Sequence, residues 1–556
     1  GGANILDGQK KEWRRAYGKY GVDGLISTAF GQKSPNSVTQ NNSHRQYLTG
    51  QLIAEYKGVF GKHDINVLGG WSAEENLYED LQGKRTNIVG NELPALNLGD
   101  TDGWSNAADE NEWALLSGFM RASYAFAAKY LVEVNFRADA SSRFSKKNRW
   151  GVFPSASVGW RITEEKFMQN QHIFDNLKLR ASWGQLGNQN GLGLYDHIAS
   201  YNINGYYPFK SELGQWAVIS KLPSESRTWE TVEVKNIAVD MAFLRNRLTV
   251  TGEYFIKKNK DMLVSIEIPS IIGIDVPTGN YGELKVKGWE VTVGWQDKIK
   301  DFSYGARFNL SDQKDKLVDY GVEYNGFVAG VNQKVQGYSL GSIFGYRTDG
   351  YFTSEEEVKN SAAFNKAITG VGDIKYIDKD GDGKISAPND LEYLGTTTPR
   401  YTFGLNLTAA WKGFDLGVLL QGVGKRNFYL SSEVMNPYYA TWNNFSYKMH
   451  NDYWTPENPN AAFPRYYAGA NHNYQISDHW LQNAAYVRLK NLQLGYTISP
   501  KLTKSWGIQR LRVYFSGDNL CEYSKLNDNF DPELSNINGY VYPIMRNFSF
   551  GINVTL

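Results

Sequence analysis

The chain has 556 residues, and its 59 Lys and Arg against 58 Asp and Glu leave a formal net charge of +1. This balance excludes the basic field with which proteins attract nucleic acid. Aromatic residues make up 14% of the chain and glycine contributes 55 residues, a composition that favours pleated strands and aromatic-rich surfaces. Cys521 is the single cysteine, so an internal disulfide framework is excluded.

Alternation of apolar and polar residues predicts about sixteen strands. Strands long enough to cross a membrane need only ~9 to 11 residues, whereas no stretch of the chain approaches the ~20 continuous apolar residues of a membrane helix. In chain order the predicted strands are 18–28, 46–57, 63–75, 112–126, 130–139, 150–162, 176–185, 233–243, 247–257, 281–296, 301–312, 401–411, 414–421, 483–498, 509–518 and 548–556.

The terminal strand has one apolar and one polar face, and the environment of the strand decides what each face contacts. One face carries Phe548, Phe550, Ile552, Val554 and Leu556, and the other carries Ser549, Gly551, Asn553 and Thr555. In a soluble sandwich the apolar face would point to a core, while in a membrane barrel it would point to lipid. The strand 130–139 is similar, with Glu133, Arg137 and Asp139 on its polar face; there we expect a hydrogen-bonded barrel wall rather than a substrate site.

Connection lengths favour the barrel. Short connections such as 58–62, 127–129 and 412–413 alternate with longer ones such as 76–111, 186–232 and 424–482, with 140–149 as the short exception. Outer-membrane barrels have short periplasmic turns and long extracellular loops, so the apolar face of the terminal strand is predicted to meet lipid. The segment 313–397 is then one large extracellular segment, and its YSLGSIFGY (338–346) is predicted not to span.

Several stretches resemble the C-terminal barrel of SusC-like TonB-dependent transporters, the outer-membrane nutrient importers of Bacteroidetes. They are RADASSRFSKKNRWGVFPSASVGWRI (137–162), LKLRASWGQLGNQN (177–190), WETVEVKNIAVDMAFLRNRL (229–248), GELKVKGWEVTVGW (282–295), GDIKYIDKDGDGKIS (372–386), YVRLKNLQLGYTI (486–498) and YPIMRNFSFGINVTL (542–556). The family usually ends on an aromatic residue, typically Phe, where this chain has Leu556.

The resemblance implies an all-β, transmembrane antiparallel barrel of twenty-two strands in the bacterial outer membrane. It implies a surface lipoprotein of the SusD type as partner and energy from the TonB system acting through a plug. About sixteen strands are visible and nothing resembles a plug or TonB box. We therefore expect residues 1–556 to be the C-terminal portion of one barrel, with plug and TonB box outside this chain.

An Asp-rich stretch in the large extracellular segment resembles a calcium loop. Asp378, Asp380 and Asp382 stand at positions 1, 3 and 5, Gly383 at position 6 and Lys384 at position 7, where an EF-hand supplies its oxygen ligands and its sharp turn. Position 12 departs from the pattern, because Asn389 replaces the bidentate Glu. The following Asp390 is a candidate for the late carboxylate. A structural Ca²⁺ is one interpretation, and a solvated acidic turn is the other.

Aromatic residues crowd the loop segment 425–482. Aromatic faces stack on sugar rings, so a ligand-facing role is one interpretation of this loop. For the nutrient, the resemblance implies glycans or peptides, and we expect an oligosaccharide or glycan rather than a peptide. The candidate substrate-binding residues are Tyr438, Tyr439, Trp442 and Trp454. The competing interpretation is that such aromatics pack a long loop or anchor at the membrane interface.

The sequence carries no catalytic constellation, so we predict that the chain is not an enzyme and uses no cofactor for chemistry. The seven histidines show no ligand spacing such as HExxH, and GVGKRN (422–427) lacks the rest of a P-loop. Two other classes stay open at this point. A passive sixteen-stranded porin fits the visible strand count, and a soluble β carbohydrate-active protein has weak support from the aromatic and acidic residues.

Overall fold

The structure is a computed structural model. It describes residues 1–16, 35–90, 92–209, 212–265, 271, 273–274, 277–321, 327–438, 447–467, 471–527, 530–534 and 544–556. The predicted strand 18–28 and the candidate residues Tyr439 and Trp442 lie outside these described residues.

Twenty-five strands are present in the described part of the chain, and they are numbered in chain order. They are β1 Gly2–Arg14, β2 Ser37–Phe60, β3 His63–Thr86, β4 Ser105–Phe126, β5 Tyr130–Ser141, β6 Trp150–Arg161, β7 Phe174–Asn188, β8 Ser200–Phe209, β9 Glu212–Lys221, β10 Glu230–Phe243, β11 Leu248–Val264, β12 Gly279–Ile299, β13 Phe302–Tyr320, β14 Gly330–Gln333, β15 Ser342–Tyr346, β16 Thr348–Tyr351, β17 Ile374–Tyr376, β18 Leu391–Thr396, β19 Arg400–Trp411, β20 Phe414–Lys425, β21 Asn427–Tyr429, β22 Leu481–Asn483, β23 Tyr486–Thr497, β24 Arg510–Ser524 and β25 Asn547–Thr555.

Sixteen of these strands form one antiparallel sheet, which confirms the predicted all-β class and strand number. Its order is β1-β2-β3-β4-β5-β6-β7-β10-β11-β12-β13-β19-β20-β23-β24-β25. Each strand pairs with the next spanning strand along the chain, so alternate connections lie at opposite ends. One end carries the short connections together with 162–173 and 498–509, and the other carries the long ones, which we call the outer connections.

The start of the sheet differs from the prediction. Its first strand is β1, which pairs in register with β2 from Gly2 opposite Thr49 to Arg14 opposite Ser37. The sequence of β1, GANILDGQKKEWR, lacks strict alternation, so periodicity did not reveal it. β2 and β3 also run to 24 residues each, because backbone pairing continues into polar sequence where no apolar face is required.

Smaller elements occupy the outer connections. The segment YSLGSIFGY does not span, since β15 pairs with β14 and β18 in a separate three-stranded sheet. β8 and β9 form a hairpin of their own within the connection 189–229, which the sequence did not predict.

The α-helices are short: α1 Glu355–Asn360, α2 Ser432–Met435 and α3 Pro500–Thr503. Across the described ranges, the helices all fall short of the length and apolar character that crossing a membrane requires.

The largest buried core lies outside the sixteen-stranded sheet. It is formed by the described residues of three outer connections, between 327 and 399, between 426 and 485, and between 525 and 534, which we call the loop assembly. Its buried members are Tyr346, Ile374, Tyr376, Ile385, Leu391, Phe428, Leu430, Val434, Met449, Phe463, Tyr474, Trp480, Ala484 and Leu526. Three connections far apart in sequence therefore share one apolar centre, which positions their polar residues.

Candidate binding sites in the outer loops

The polar face of the sheet is tied together by charge pairs. The Nε of Arg137 donates to Asp139 at 2.8 Å, and its Nη2 donates to the Ser117 hydroxyl at 3.0 Å. Glu133 accepts hydrogen bonds from Ser123 and Asn135. These contacts confirm the prediction that this strand's charges form a hydrogen-bonded wall. Similar pairs recur along the sheet between Arg180 and Asp240, Arg400 and Asp312, and Arg512 and Asp415.

All five residues predicted to face lipid are exposed, four of them in the terminal strand β25 and Leu556 directly after it. Phe548, Phe550, Ile552, Val554 and Leu556 have exposed fractions from 51% to 83%. Their polar neighbours Ser549, Asn553 and Thr555 are exposed as well. Apolar character, rather than exposure, therefore distinguishes the two faces, and lipid contact stays a prediction.

The Asp-rich loop brings three predicted ligands together. One carboxylate oxygen from each of Asp378, Asp380 and Asp382 lies within 4.8 Å of the others. The loop also holds itself in shape, since Asp378 accepts from the backbone N–H of Gly381 at 2.7 Å and of Gly383 at 2.8 Å. Burial alone would raise the pKa of Asp378, but these N–H groups favour the carboxylate and leave its pKa lowered. The three acidic groups are exposed or partly exposed.

Asp390 has a different position from the one expected of a late ligand. It is 1% exposed and is not one of the three clustered residues. Its Oδ1 accepts from the backbone N–H of Lys379 and its Oδ2 from that of Ser386, both at 2.7 Å. It therefore closes the loop by joining its two ends. Lys384 is exposed at the loop surface, and its backbone N–H donates to Asp382 at 2.8 Å.

The two described aromatic candidates have unlike environments. Tyr438 is 39% exposed, and its ring meets the ring of Tyr466 edge-on with centroids 5.5 Å apart. Trp454 is half-buried and lies against Gly372, where an added Cβ would come within 2.3 Å of the indole. Trp454 thus packs the loop assembly, in agreement with the packing interpretation, while Tyr438 presents a ring to solvent.

Sequence reasoning missed a buried carboxylate that joins two outer connections. Asp373 is fully buried, and its carboxylate accepts four hydrogen bonds, from Gly370 N, Tyr467 Oη, His472 Nε2 and Asn473 Nδ2, at 2.8 to 2.9 Å. Three of these donors come from a connection about a hundred residues away. No local pattern could have revealed the cluster, because its members meet only in the folded chain.

Sequence reasoning also missed a group of ion pairs and hydrogen bonds that holds the last outer connection in place. Arg488 is 3% exposed and pairs with Glu522, Asp531 and Glu533. Lys490 adds an ion pair to Glu533 at 3.0 Å. Arg426, from the GVGKRN stretch, donates to the backbone carbonyls of Pro532 and Leu534. Arg426 therefore holds a loop.

The acidic run in the large connection forms a capped helix. Ser354 accepts from the backbone N–H of Glu357 and so caps α1, while the Glu357 carboxylate accepts from the backbone N–H of Thr353, one residue before the cap. The Thr353 N–H and the Lys375 ammonium together lower the pKa of Glu357 to about 2. Of the three glutamates that begin α1, Glu355 and Glu356 are exposed, and Glu357 is held by these contacts.

Taken together, sixteen antiparallel strands, short connections at one end and a folded loop assembly at the other define the class of outer-membrane β-barrels with long outer loops. The family model described as "TonB dependent receptor-like, beta-barrel" matches residues 6–520. The chain belongs to this family and is an outer-membrane protein. The same membership confirms the prediction that it is not an enzyme.

Curated relatives agree with this assignment. The chain is 30% identical over 530 residues to TonB-dependent receptor P26 of Formosa agariphila, covering 90% of this chain and 52% of that protein. It is 28% identical over 542 residues to TonB-dependent receptor P3 of the same organism, covering 93% and 52%. SusC of Bacteroides thetaiotaomicron is 28% identical over 463 residues, covering 79% and 43%. The chain thus spans about half the length of the curated relatives it matches.

A solved structure has the same fold. The RagAB peptide transporter superposes with a TM-score of 0.83 at 22% sequence identity, over 99% of this chain and 59% of that chain. At this level of identity the likeness establishes the barrel fold alone.

Proposed function

We propose that the chain is the barrel portion of a SusC-like importer that moves a large nutrient across the outer membrane with energy from the TonB system. The observation that carries the proposal is the family match over residues 6–520 of a sixteen-stranded sheet with its long connections gathered at one end. The wall of charge pairs and the loop assembly provide containment and ligand contacts. A plug and a TonB-contacting segment would belong to the complete receptor.

The proposed partner is a SusD-like surface lipoprotein that covers the outer connections. Support comes from the likeness to SusC and from the fold shared with RagAB. We propose an oligosaccharide or glycan rather than a peptide as the nutrient, because the loop assembly exposes neutral aromatic rings. RagAB itself is described as a peptide transporter, so a peptide is the alternative that the experiment must exclude.

Uptake measurements test the proposal. Cells that produce the complete receptor should accumulate labelled oligosaccharide, and deletion of TonB or collapse of the proton gradient should abolish accumulation. Uptake that persists without TonB would instead support a passive porin. Accumulation of labelled peptides but not of oligosaccharides would overturn the nutrient class while leaving active import intact.

We also propose that the Asp-rich loop binds a structural Ca²⁺. Three carboxylates within 4.8 Å are suited to a hard cation, which prefers oxygen ligands. The Lys384 backbone carbonyl would supply the ligand expected at position 7. Asp390 would support the loop by holding its two ends, and Ile385 and Leu391 anchor it in the apolar core. The ion would stabilise the loop assembly and take no part in chemistry.

Calorimetric titration of the purified receptor with Ca²⁺ tests this site. The Asp380→Ala/Asp382→Ala variant should lose the binding heat, because two of the three clustered carboxylates are gone. The matched control Glu355→Ala/Glu356→Ala removes two acidic groups from α1 and should bind as the unaltered protein does. Equal heats in all three proteins would contradict the proposal.

A further inference from the structure

Three tyrosine rings lie side by side on the loop assembly, and we call Tyr438, Tyr453 and Tyr466 the tyrosine platform. Tyr466 is central: its ring centroid is 5.5 Å from that of Tyr438 and 5.4 Å from that of Tyr453. The interplanar angles are 70° and 39°, within the edge-on and tilted arrangements that aromatic pairs prefer. The platform therefore joins two separate stretches of the connection 426–485.

Contacts with buried residues hold the platform in place. The Tyr466 hydroxyl donates to the backbone carbonyl of His450 at 2.9 Å, and His450 is 2% exposed. Tyr453 forms a β-bridge with the buried Phe463. The backbone N–H of Tyr438 donates to the side chain of Asn436, which is 4% exposed. Because the rings are held before any ligand arrives, little conformational entropy would be lost on binding.

The two outer rings are open to solvent although the platform sits on a well-packed core. Tyr438 is 39% and Tyr453 is 42% exposed, whereas Tyr346 and Tyr474 of the loop assembly are 4% and 9% exposed. The neighbouring Asp452 is itself exposed, and its carboxylate accepts from Asn458 Nδ2 and from the backbone N–H of Ala462. The three side chains of the platform are themselves aromatic, hydroxyl-bearing and uncharged.

We propose that the tyrosine platform binds a neutral sugar ring of the nutrient, an inference that rests on the proposed import function. Aromatic faces carry partial negative charge and attract the C–H face of a pyranose. The hydroxyls of Tyr438 and Tyr453 can both donate to and accept from sugar hydroxyls, while that of Tyr466, which donates to His450, can accept. Aromatic faces combined with neutral hydroxyls match the C–H faces and hydroxyls of a neutral carbohydrate better than the ionised groups of a peptide.

Binding to the complete receptor, purified in detergent, tests the platform. The probes are neutral glucose-, xylose- and mannose-based oligosaccharides and a matched set of uncharged peptides rich in proline and aromatic residues. At least one oligosaccharide should bind, and Tyr453→Ala and Tyr438→Ala should each weaken it about threefold to tenfold, the range expected for losing one aromatic contact. Tyr453→Phe keeps the ring and should retain most of the affinity.

Tyr206→Ala is the matched control, because Tyr206 is 63% exposed on the β8–β9 hairpin and lies outside the platform; it should bind as the unaltered receptor does. Tyr438→Ala, which removes only one ring contact, keeps the test valid if Tyr453→Ala fails to fold. Unchanged affinity in a folded platform variant, binding of none of the oligosaccharides, or peptide binding that the platform variants abolish would each overturn the proposal. TonB-dependent uptake measured in the same strains separates this failure from failure of the import function.

Discussion

At the scale of single residues, hydrogen bonding fixes the protonation state of a buried histidine under the platform. The Nδ1 of His450 accepts from the backbone N–H of Tyr447 at 3.0 Å, so its Nε2 carries the proton and donates to the carbonyl of Val434 at 2.8 Å. Burial lowers the pKa of His450 because the charged imidazolium is poorly solvated there. A proton added at Nδ1 would also remove the bond from Tyr447.

This arrangement predicts that acid destabilises the loop assembly. In the unfolded chain a histidine takes up its proton near pH 6.5, whereas folded His450 does so only at lower pH. The unfolded state therefore binds more protons below about pH 6.5, and stability is full above that value and falls as the pH drops below it. The urea midpoint of loop unfolding, measured by pulse proteolysis, should be lower at pH 5.5 than at pH 8.

The variant His450→Gln provides the control for this prediction. It removes the titrating group, so its midpoint should depend less on pH, although it will be lower at pH 8 through the altered hydrogen bonds. His479, whose pKa burial also lowers, contributes with the same sign. An undiminished pH dependence in His450→Gln would assign the effect to other groups.

Residues that sequence reasoning identified differ from those it missed in one physical respect. Asp378, Asp380 and Asp382 lie within five consecutive residues, so their spacing is visible along the chain. Asp373 and Arg488 find their side-chain partners 34 to 100 residues away, and nothing local distinguishes them from solvated charges. Asp390 was located as an acidic group, but its contribution as a backbone acceptor depends on the folded loop.

At the scale of elements, the β8–β9 hairpin stands apart from the barrel sheet. Its two strands pair only with each other in the described part of the chain. Tyr201, Tyr206, Tyr207 and Leu213 are between 59% and 71% exposed. Its base is anchored by Asp196, which accepts from Lys221 Nζ at 3.1 Å and from Arg227 Nη1 at 2.6 Å.

We therefore expect the hairpin to be dispensable for barrel folding. Replacing residues 202–218 with a short Gly-Ser turn should leave outer-membrane insertion and heat-modifiable migration on gels unchanged, since the sixteen-stranded sheet loses no pairing. Asp196→Ala should act at the base instead, because it leaves the 4% exposed Arg227 without its carboxylate and costs about 1–3 kcal/mol. Failure of the hairpin deletion to insert would show that the element supports barrel assembly.

At the scale of the whole molecule, the sheet exposes apolar side chains that a soluble β protein would bury. The barrel strands direct exposed apolar side chains such as Val134, Phe136 and Phe550 outward, while charge pairs line the opposite face. The buried apolar core is instead in the outer loops. This arrangement suits a wall that has lipid on one side and an aqueous lumen on the other.

A matched pair of substitutions in β25 tests the orientation of the wall. Phe550→Lys places a charge on the predicted lipid face, where it costs about 2–4 kcal/mol near the bilayer midplane and less toward the interfaces. Ser549→Lys places the same charge one residue earlier, on the predicted lumen face, and should cost little. Folding of the two variants into lipid vesicles, followed by urea titration, measures the difference. Equal stabilities, or a larger loss in Ser549→Lys, would reverse the assigned faces.

The sequence alone determined the fold class, the approximate strand number, the two ends of the barrel and the Asp-rich loop, because alternation, connection length and ligand spacing are all properties of neighbouring residues. Only the tertiary structure revealed the β1 strand, the polar extensions of β2 and β3, the Asp373 cluster and the tyrosine platform. The physical reason is that these features depend on backbone pairing or on contacts between distant connections, for which residue order carries no periodic pattern. Tyr438 illustrates both levels. The many aromatic residues of its loop made it a candidate binding residue, but only its contact with Tyr466 in the folded chain makes it part of a three-ring surface.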